Sequence, residues 1–381
     1  MLRSLIKKMK NYNKRLSARL QMLVGVAHSN KTSDFQGFGP RSNVPVDEDE
    51  SPQALATLDE RLDERMDEQV LEAASRRSNP NYSPLGDSHE LTSPTGSYAL
   101  SQSREYIVYT PNGYNADEAL PLVMVLHGCK QTHLDIRADT GFDEIADRER
   151  FIIVYPFVTR YLDVRNKNCW GWWLRQHIRA GSGEVEDLRR IIEQVQQKFA
   201  VDDSRIHITG LSSGAGMTVA ALVAHGKLFA SGASVAGVAY GESVRAVRVN
   251  AFISVKYRSL KRTVASVKKQ LAGKGKLASL LIVQSRNDKT VEFQAAMNLR
   301  DSWLELKRAK KERPEPLVGK SQEIEWQYRQ FPRGKGAALV ETLLVEKSKH
   351  GWIGGNKGKF SESRGPNISE IIWLFFKRHP R

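Results

Sequence analysis

Long apolar runs are missing from this 381-residue chain. None reaches about 18 consecutive residues, so no membrane-crossing helix is expected. Cysteine is nearly absent, and Cys129 and Cys169 are the whole complement. That is too few for a disulfide-stapled scaffold, and a pair neither demands nor excludes one bridge. The basic segments lack the interleaved aromatics of RNA-recognition elements, zinc-finger spacing and a helix-turn-helix signature, so nucleic acid is not the expected partner. The amino-terminal stretch MLRSLIKKMKNYNKRLSARLQMLVGVAHS has scattered basic residues and an apolar run only from Met22 to Ala27. This falls short of a secretory core, and no cleavable signal is expected.

What is present suits a globular enzyme. Apolar residues make up 40% and charged residues 27%, enough to bury a sizeable core in one large domain with an appendage. The formal net charge of +15 biases encounters toward anionic surfaces.

The boundary falls near Gly96, dividing an extension at 1–96 from a domain at 97–381. In the extension, Leu2, Leu5, Ile6, Met9, Leu16, Leu20 and Leu23 recur at helical spacing among seven Lys/Arg and no acid. The basic amphipathic helix this predicts over residues 1–23 either packs loosely in solvent or adheres to an anionic surface or polymer granule. Residues 30–52 read as linker. A second helix is predicted over Pro52 to Ser75, with Leu58, Leu62, Met66 and Val70 on one stripe and paired charges elsewhere. Residues 76–96 are rich in turn formers and read as a further linker.

From Tyr98 the pattern becomes strand, loop, helix. The continuous apolar runs PLVMVLHG, FIIVYP, RIHITG and LLIVQS have the character of strands buried on both faces. Helix-length amphipathic segments at Gly141 to Arg150, Glu184 to Phe199 and Gly214 to His225 alternate with them. A doubly wound, mostly parallel α/β sheet follows.

Within it, Gly210-Leu211-Ser212-Ser213-Gly214 stands between the strand-like RIHIT and the small-residue run from Gly214 to Ala221. A Gly-x-Ser-x-Gly pentapeptide alone is weak, but strand, sharp turn and helix in that order form the context of a nucleophile elbow, with Ser212 as nucleophile. A serine hydroxyl needs a base and the base needs an orienting carboxylate. His350, in the loop after ALVETLLVE and before a terminal helix at Ile368 to Lys377, is the candidate base, and Asp288, directly after LLIVQS, the candidate carboxylate. His127, His207 and His225 have structural explanations. The oxyanion donors are expected from the amide of Ser213 and from that of Cys129 or Lys130, after the flexible Gly128. No metal or organic cofactor is implied.

Several motifs in one order then carry a resemblance: Tyr109-Thr110-Pro111, Leu126-His127-Gly128-Cys129-Lys130-Gln131, Cys169-Trp170-Gly171-Trp172, Gly181-Ser182-Gly183-Glu184, the elbow at Ser212, Asp288 with Thr290-Val291, and His350-Gly351-Trp352. From about Ser97 to Phe376 the chain resembles the polyhydroxybutyrate-depolymerase-type esterases, which include feruloyl and acetylxylan esterases. The resemblance implies an α/β-hydrolase fold, a triad of Ser212, Asp288 and His350, an oxyanion hole at Cys129 and Ser213, and hydroxyalkanoate polyesters or other short-chain esters as substrates. It also implies a Cys129–Cys169 bridge, favouring an oxidising, extracellular setting, whereas the missing signal pattern favours the cytoplasm. Trp170, Trp172 and Trp352 are the aromatic candidates for a substrate wall, with Trp173 beside them; a hydrophobic satellite is the alternative. Three departures stand out: Gln284-Ser285-Arg286 ahead of Asp288 where the family usually has His-Gly, Lys349 and Gly351 around His350, and the stretch 244–277, with eight Lys/Arg from Lys256 to Lys276 and no acid. The last reads as a cap over the active site or a solvated surface helix.

Overall fold

The computed structural model describes residues 52–381 apart from 80, 159–166, 249–253, 273–276, 310–314, 333–337 and 357. The expected helix at 1–23 and nearly all of the linker at 30–52 lie outside the described residues. The elements in chain order are α1 (Pro52–Ser75), β1 (Asp87–Ser93), β2 (Arg104–Thr110), β3 (Leu120–Leu126), α2 (His133–Thr140), α3 (Phe142–Glu149), β4 (Ile152–Pro156), α4 (Gly183–Lys198) and β5 (Val201–Leu211). Next come α5 (Ser213–Ala224), β6 (Ser231–Val235), α6 (Leu260–Leu271), β7 (Ser279–Ser285) and α7 (Phe293–Lys307). The chain finishes with β8 (Leu317–Ser321), β9 (Ile324–Phe331), β10 (Val340–Val345), β11 (Trp352–Ile353), β12 (Ser361–Glu362) and α8 (Ile368–Arg378).

Ten strands form one sheet in the order β1-β2-β4-β3-β5-β6-β7-β10-β9-β8. The six from β4 to β10 run parallel, and an antiparallel pair closes each side. The continuous apolar runs behave as their composition predicts. All seven residues of β3 are buried. Leu122, Met124 and Leu126 point to the core under α4, α5 and α7, and Val123 and Val125 to the core under α2, α3 and α8. A period-two side-chain alternation thus feeds two separate cores from one unbroken hydrophobic string.

Chain direction fixes where chemistry can occur. From β3 the chain passes to β4 on one side and then returns to β5 on the other. The crevice beyond the carboxyl ends of β3 and β5 is therefore the topological switch point, where open α/β sheets bind ligands.

The predicted helix at Pro52 to Ser75 is α1, and Val70, Ala73 and Ala74 at its carboxyl end are buried in the second core. The stretch 76–96, expected to be linker, instead contains β1, an edge strand paired along its whole length with β2. Its mostly exposed residues have no hydrophobic alternation to betray it. The loop before the predicted helix at Gly141 is also helical: α2 is capped by Thr132, whose hydroxyl accepts the Asp135 amide in a reciprocal capping box, and Gly141 at φ 66° separates it from α3. β6 has no apolar run to mark it, because its residues, SGASV, look like a turn. They are small because α5 lies close: a Cβ on Gly232 would stand 2.7 Å from Leu222 Cδ1.

A buried ionic cluster locks β2 to α4. The Arg104 guanidinium, 1% exposed, reaches Asp187 at 2.9 Å, with Glu184 at 3.9 Å. Tyr98 and Ser101 hydroxyls donate to the other Asp187 oxygen. Because both carboxylates are desolvated, removing the cation should cost far more than a surface pair would. Replacing Arg104 by Met is expected to lose about 3–5 kcal/mol, a fall in Tm of roughly 10 °C by scanning calorimetry; an unchanged Tm would refute a stabilising role for the cluster.

Candidate active site

Ser212 occupies the hinge between β5 and α5 at φ 57°, ψ −112°. This conformation costs a non-glycine residue about 1–3 kcal/mol and persists only where its surroundings enforce it. They do so by close approach. A Cβ on Gly210 would lie 2.7 Å from the Gly214 carbonyl carbon, and one on Gly214 2.3 Å from the Leu126 oxygen. Glycine at both positions lets β5, the first turn of α5 and the end of β3 meet around the serine. The Ser212 amide is anchored by donating to the Val235 carbonyl at 2.9 Å.

The loops after β7 and β10 bring the other two expected residues to it. The Ser212 hydroxyl lies 2.9 Å from His350 Nε2, and His350 Nδ1 lies 2.7 Å from Asp288 Oδ2. A carboxylate only accepts, so Nδ1 carries the proton and Nε2 is the ring's acceptor facing the serine. The Asp288 carboxylate, 1% exposed against 19% for the imidazole, also receives the amides of Thr290 at 2.7 Å and Val291 at 2.9 Å on its other oxygen. With Gln284 Nε2 at 3.5 Å from Oδ2, four donors fix its orientation.

The unusual residues around these loops supply their own ties. The Ser285 hydroxyl donates to the Ser348 carbonyl at 2.6 Å, the Lys347 amide to Asn287 Oδ1 at 3.0 Å, and Arg286 pairs with Glu346 at 2.7 Å. Gln284 spans the acid loop by donating to the Val291 carbonyl. His127, His207 and His225 are each held by structural contacts. His127 is fully buried, donates to the Gly128 carbonyl and accepts the Val158 amide, and burial lowers its pKa to about 4. His207 stacks on Phe376 and burial brings it down to about 3. His225 faces Glu186 at 3.2 Å.

The loop after β3 is held from behind by residues that sequence reasoning did not single out. Gln131 Oε1 accepts the Gly128 amide at 2.6 Å, and its Nε2 donates to the Asp139 carboxylate at 2.7 Å. Asp139 is buried, which pushes its carboxyl up to about 6 although Gln131 opposes the shift. Its backbone carbonyl accepts the amide of Asn356, in the loop following His350. The Gly128 amide is thereby committed inward. Cys129 is disulfide-bonded to Cys169, so the loop after β3 and the Trp170–Trp173 loop are covalently joined.

The aromatic candidates separate. Trp170 and Trp352 are completely buried: Trp170 packs near His127, and Trp352 donates to the Ser369 hydroxyl and stands edge-on to Phe142. Neither offers a face to a substrate, which corrects the expectation for both. Their bulk makes them core plugs beneath the loops. Trp172 is also buried, at 6% exposed, but is placed nearer the serine. It lies over the first turn of α5, its Cγ 2.8 Å from where a Gly216 Cβ would be, and packs with Val238, Ala246, Val291 and partly exposed Trp173, Val247 and Tyr257. Burial, with Glu292, Glu242 and Asp288 nearby, pushes the Tyr257 phenol up to about 12. The stretch 244–277 thus divides. Ala246 to Arg248 and Tyr257 abut the Asp288 loop, the Arg248 amide donating to the Thr290 carbonyl at 2.9 Å, whereas α6 is a surface helix seated by Thr263, Val264 and Val267.

Comparison with known proteins agrees with this architecture. Over 133 residues the chain is 32% identical to poly(3-hydroxyalkanoate) depolymerase C of Paucimonas lemoignei, covering 35% of this chain and 31% of that protein. It is 26% identical over 137 residues to acetylxylan esterase A of Emericella nidulans, covering 36% and 43% respectively. The matches therefore span under half the length of these relatives. Among solved structures, the acetyl xylan esterase from Aspergillus awamori superposes with a TM-score of 0.53 at 18% identity, covering 70% of this chain and 94% of that one, so the two share the α/β-hydrolase fold. A family model described as esterase PHB depolymerase matches residues 104–307, more than half of the chain, and to that family the chain belongs.

Proposed function

We propose that the protein is a serine carboxylic-ester hydrolase in which Ser212, His350 and Asp288 act as a triad. The observation that carries this is the unbroken hydrogen-bonded line from the serine hydroxyl through the imidazole to a buried carboxylate, at 2.9 and 2.7 Å. His350 Nε2 removes the proton as Ser212 Oγ attacks the ester carbonyl, and Asp288 stabilises the imidazolium that results. The oxyanion is received by the amides of Ser213 and Cys129. With the Gly128 amide spent on Gln131, the next donor along the loop is Cys129. Collapse expels the alcohol, protonated by His350, and leaves an acyl-enzyme. Water, deprotonated by the same imidazole, then releases the acid. No step needs a metal or cofactor.

The relatives named as polyhydroxyalkanoate depolymerase and acetylxylan esterase support ester hydrolysis as the common chemistry, with short-chain hydroxyalkanoate esters or polyesters as the first substrates to try. Acetylated or feruloylated carbohydrate is the second reading, favoured by the superposition on an acetyl xylan esterase.

The Ser212→Ala variant should release p-nitrophenol from short acyl esters at least about 10³-fold more slowly than the wild type, and Asp288→Asn about 10⁴-fold more slowly, with both proteins folded. Undiminished turnover in either would remove that residue from the mechanism. Gln131→Ala should lower kcat by about tenfold with little change in KM, because it loosens an oxyanion donor used only in the transition state. A rise in KM alone would place Gln131 in substrate binding instead.

A further inference from the structure

The four elements around the candidate nucleophile share a property that the triad does not require. Lys349 immediately precedes His350, Lys289 immediately follows Asp288, and Lys130 follows Cys129, and all three are exposed. Consecutive Cα atoms are 3.8 Å apart, and His350 hydrogen-bonds both Ser212 and Asp288, so the stems of Lys349 and Lys289 start beside the reacting centre. None of the three lysines forms an ion pair among the described residues. The acids that could neutralise them are spent. Asp288 is saturated by His350, Gln284 and two amides, Glu346 by Arg286 and Glu292 by Arg248; Glu362, the acid facing Lys349, is paired with Arg364 at 3.1 Å, and Glu242 is buried and accepts the Arg258 amide. Bordering the acid loop, the stretch from Ser243 to Asn287 holds eleven Lys/Arg and no acid. Of these, Arg245 and Lys256 are exposed and joined through the Lys256 amide and Arg245 carbonyl at 2.9 Å. They stand on the segment that carries Tyr257 into the apolar cluster of Trp172.

A rim of exposed lysines beside an apolar cluster concentrates ligands of the opposite sign. We propose that the preferred substrate is a soluble ester that bears a free carboxylate on its acyl chain, a half-ester of a dicarboxylic acid or an acid-terminated oligoester, recognised by Lys289 and Lys349. The apolar part of the acyl chain lies along Trp173 and Tyr257, the partly exposed edge of the Trp172 cluster, and the carboxylate beyond it meets the lysines. This rests on the ester-hydrolase reading above and specifies its substrate class. A carboxylate end is what ester hydrolysis of a longer polyester creates, so a reaction of that class would supply such a substrate.

The test compares p-nitrophenyl hydrogen adipate with p-nitrophenyl methyl adipate, which differ by one charge, using the full chain and subtracting the enzyme-free rate. At about 20 mM salt the anionic ester is expected to have a kcat/KM at least about tenfold higher, mostly through KM, and the advantage should shrink toward parity at about 300 mM as screening sets in. The double variant Lys289→Gln/Lys349→Gln should bring the ratio of the two substrates close to one at low salt. Equal rates at low salt, a preference for the neutral ester, or an anionic preference that survives both salt and the double variant would overturn the proposal while leaving ester hydrolysis intact. Failure to hydrolyse either ester, with no fluorophosphonate labelling of Ser212, would overturn the ester-hydrolase reading itself and this proposal with it.

Discussion

The backbone at Ser212 is the constraint on which the rest of the site depends. A serine at φ 57° and ψ −112° relaxes unless β5, α5 and the end of β3 are forced together, and only glycine at 210 and 214 allows that approach. The small side chains of α5 and β6 follow from the same demand, since a helix that starts at a hinge this tight must lie close to the strands it covers. Placing the hinge at the switch point between β3 and β5 then directs the loops after β3, β7 and β10 to one edge of the sheet. Two residues far apart in sequence, Asp288 and His350, arrive within hydrogen-bond reach of a third because the parallel strands before them end in register.

Much of this is legible in the chain. Buried parallel strands announce themselves as unbroken apolar runs, and β3, β4, β5 and β7 fall where those runs are. The order strand, Gly-x-Ser-x-Gly, small-residue helix is equally explicit, and Asp288 and His350 follow from standing after strands in the required order. What the chain hides has physical reasons. Edge strands such as β1 are exposed and carry no alternation, and β6 is built from residues that elsewhere make turns. Side-chain direction is hidden too: nothing in Cys-Trp-Gly-Trp-Trp says that Trp170 turns into the core while Trp172 lies against the first turn of α5. Gln131 was visible as part of a motif, but its partner Asp139 is eight residues away on α2, and only the fold makes them a pair.

Polar groups behind the site follow a common pattern. Glu184 receives the Gly171 amide at 2.6 Å and sits beside Arg104, so the ionic cluster that joins β2 to α4 also fixes the aromatic loop. Gln131 and Asp139 do the same for the loop after β3. Each loop is thus restrained twice, by a buried side chain at its back and by the Cys129–Cys169 bond between them. Rigid supports of this kind fix the backbone of both loops at the edge of the sheet where Ser212 stands.

The contact between Trp172 and Gly216 has a consequence for how such an enzyme can diversify. Gly216 lies on the first turn behind the nucleophile, and even a methyl group there would collide with the indole. The Trp172 indole can therefore be re-aimed from beneath, by one small substitution on the first turn of α5. Such a change moves the Trp172 loop while the loops that carry Asp288 and His350 keep their sequence.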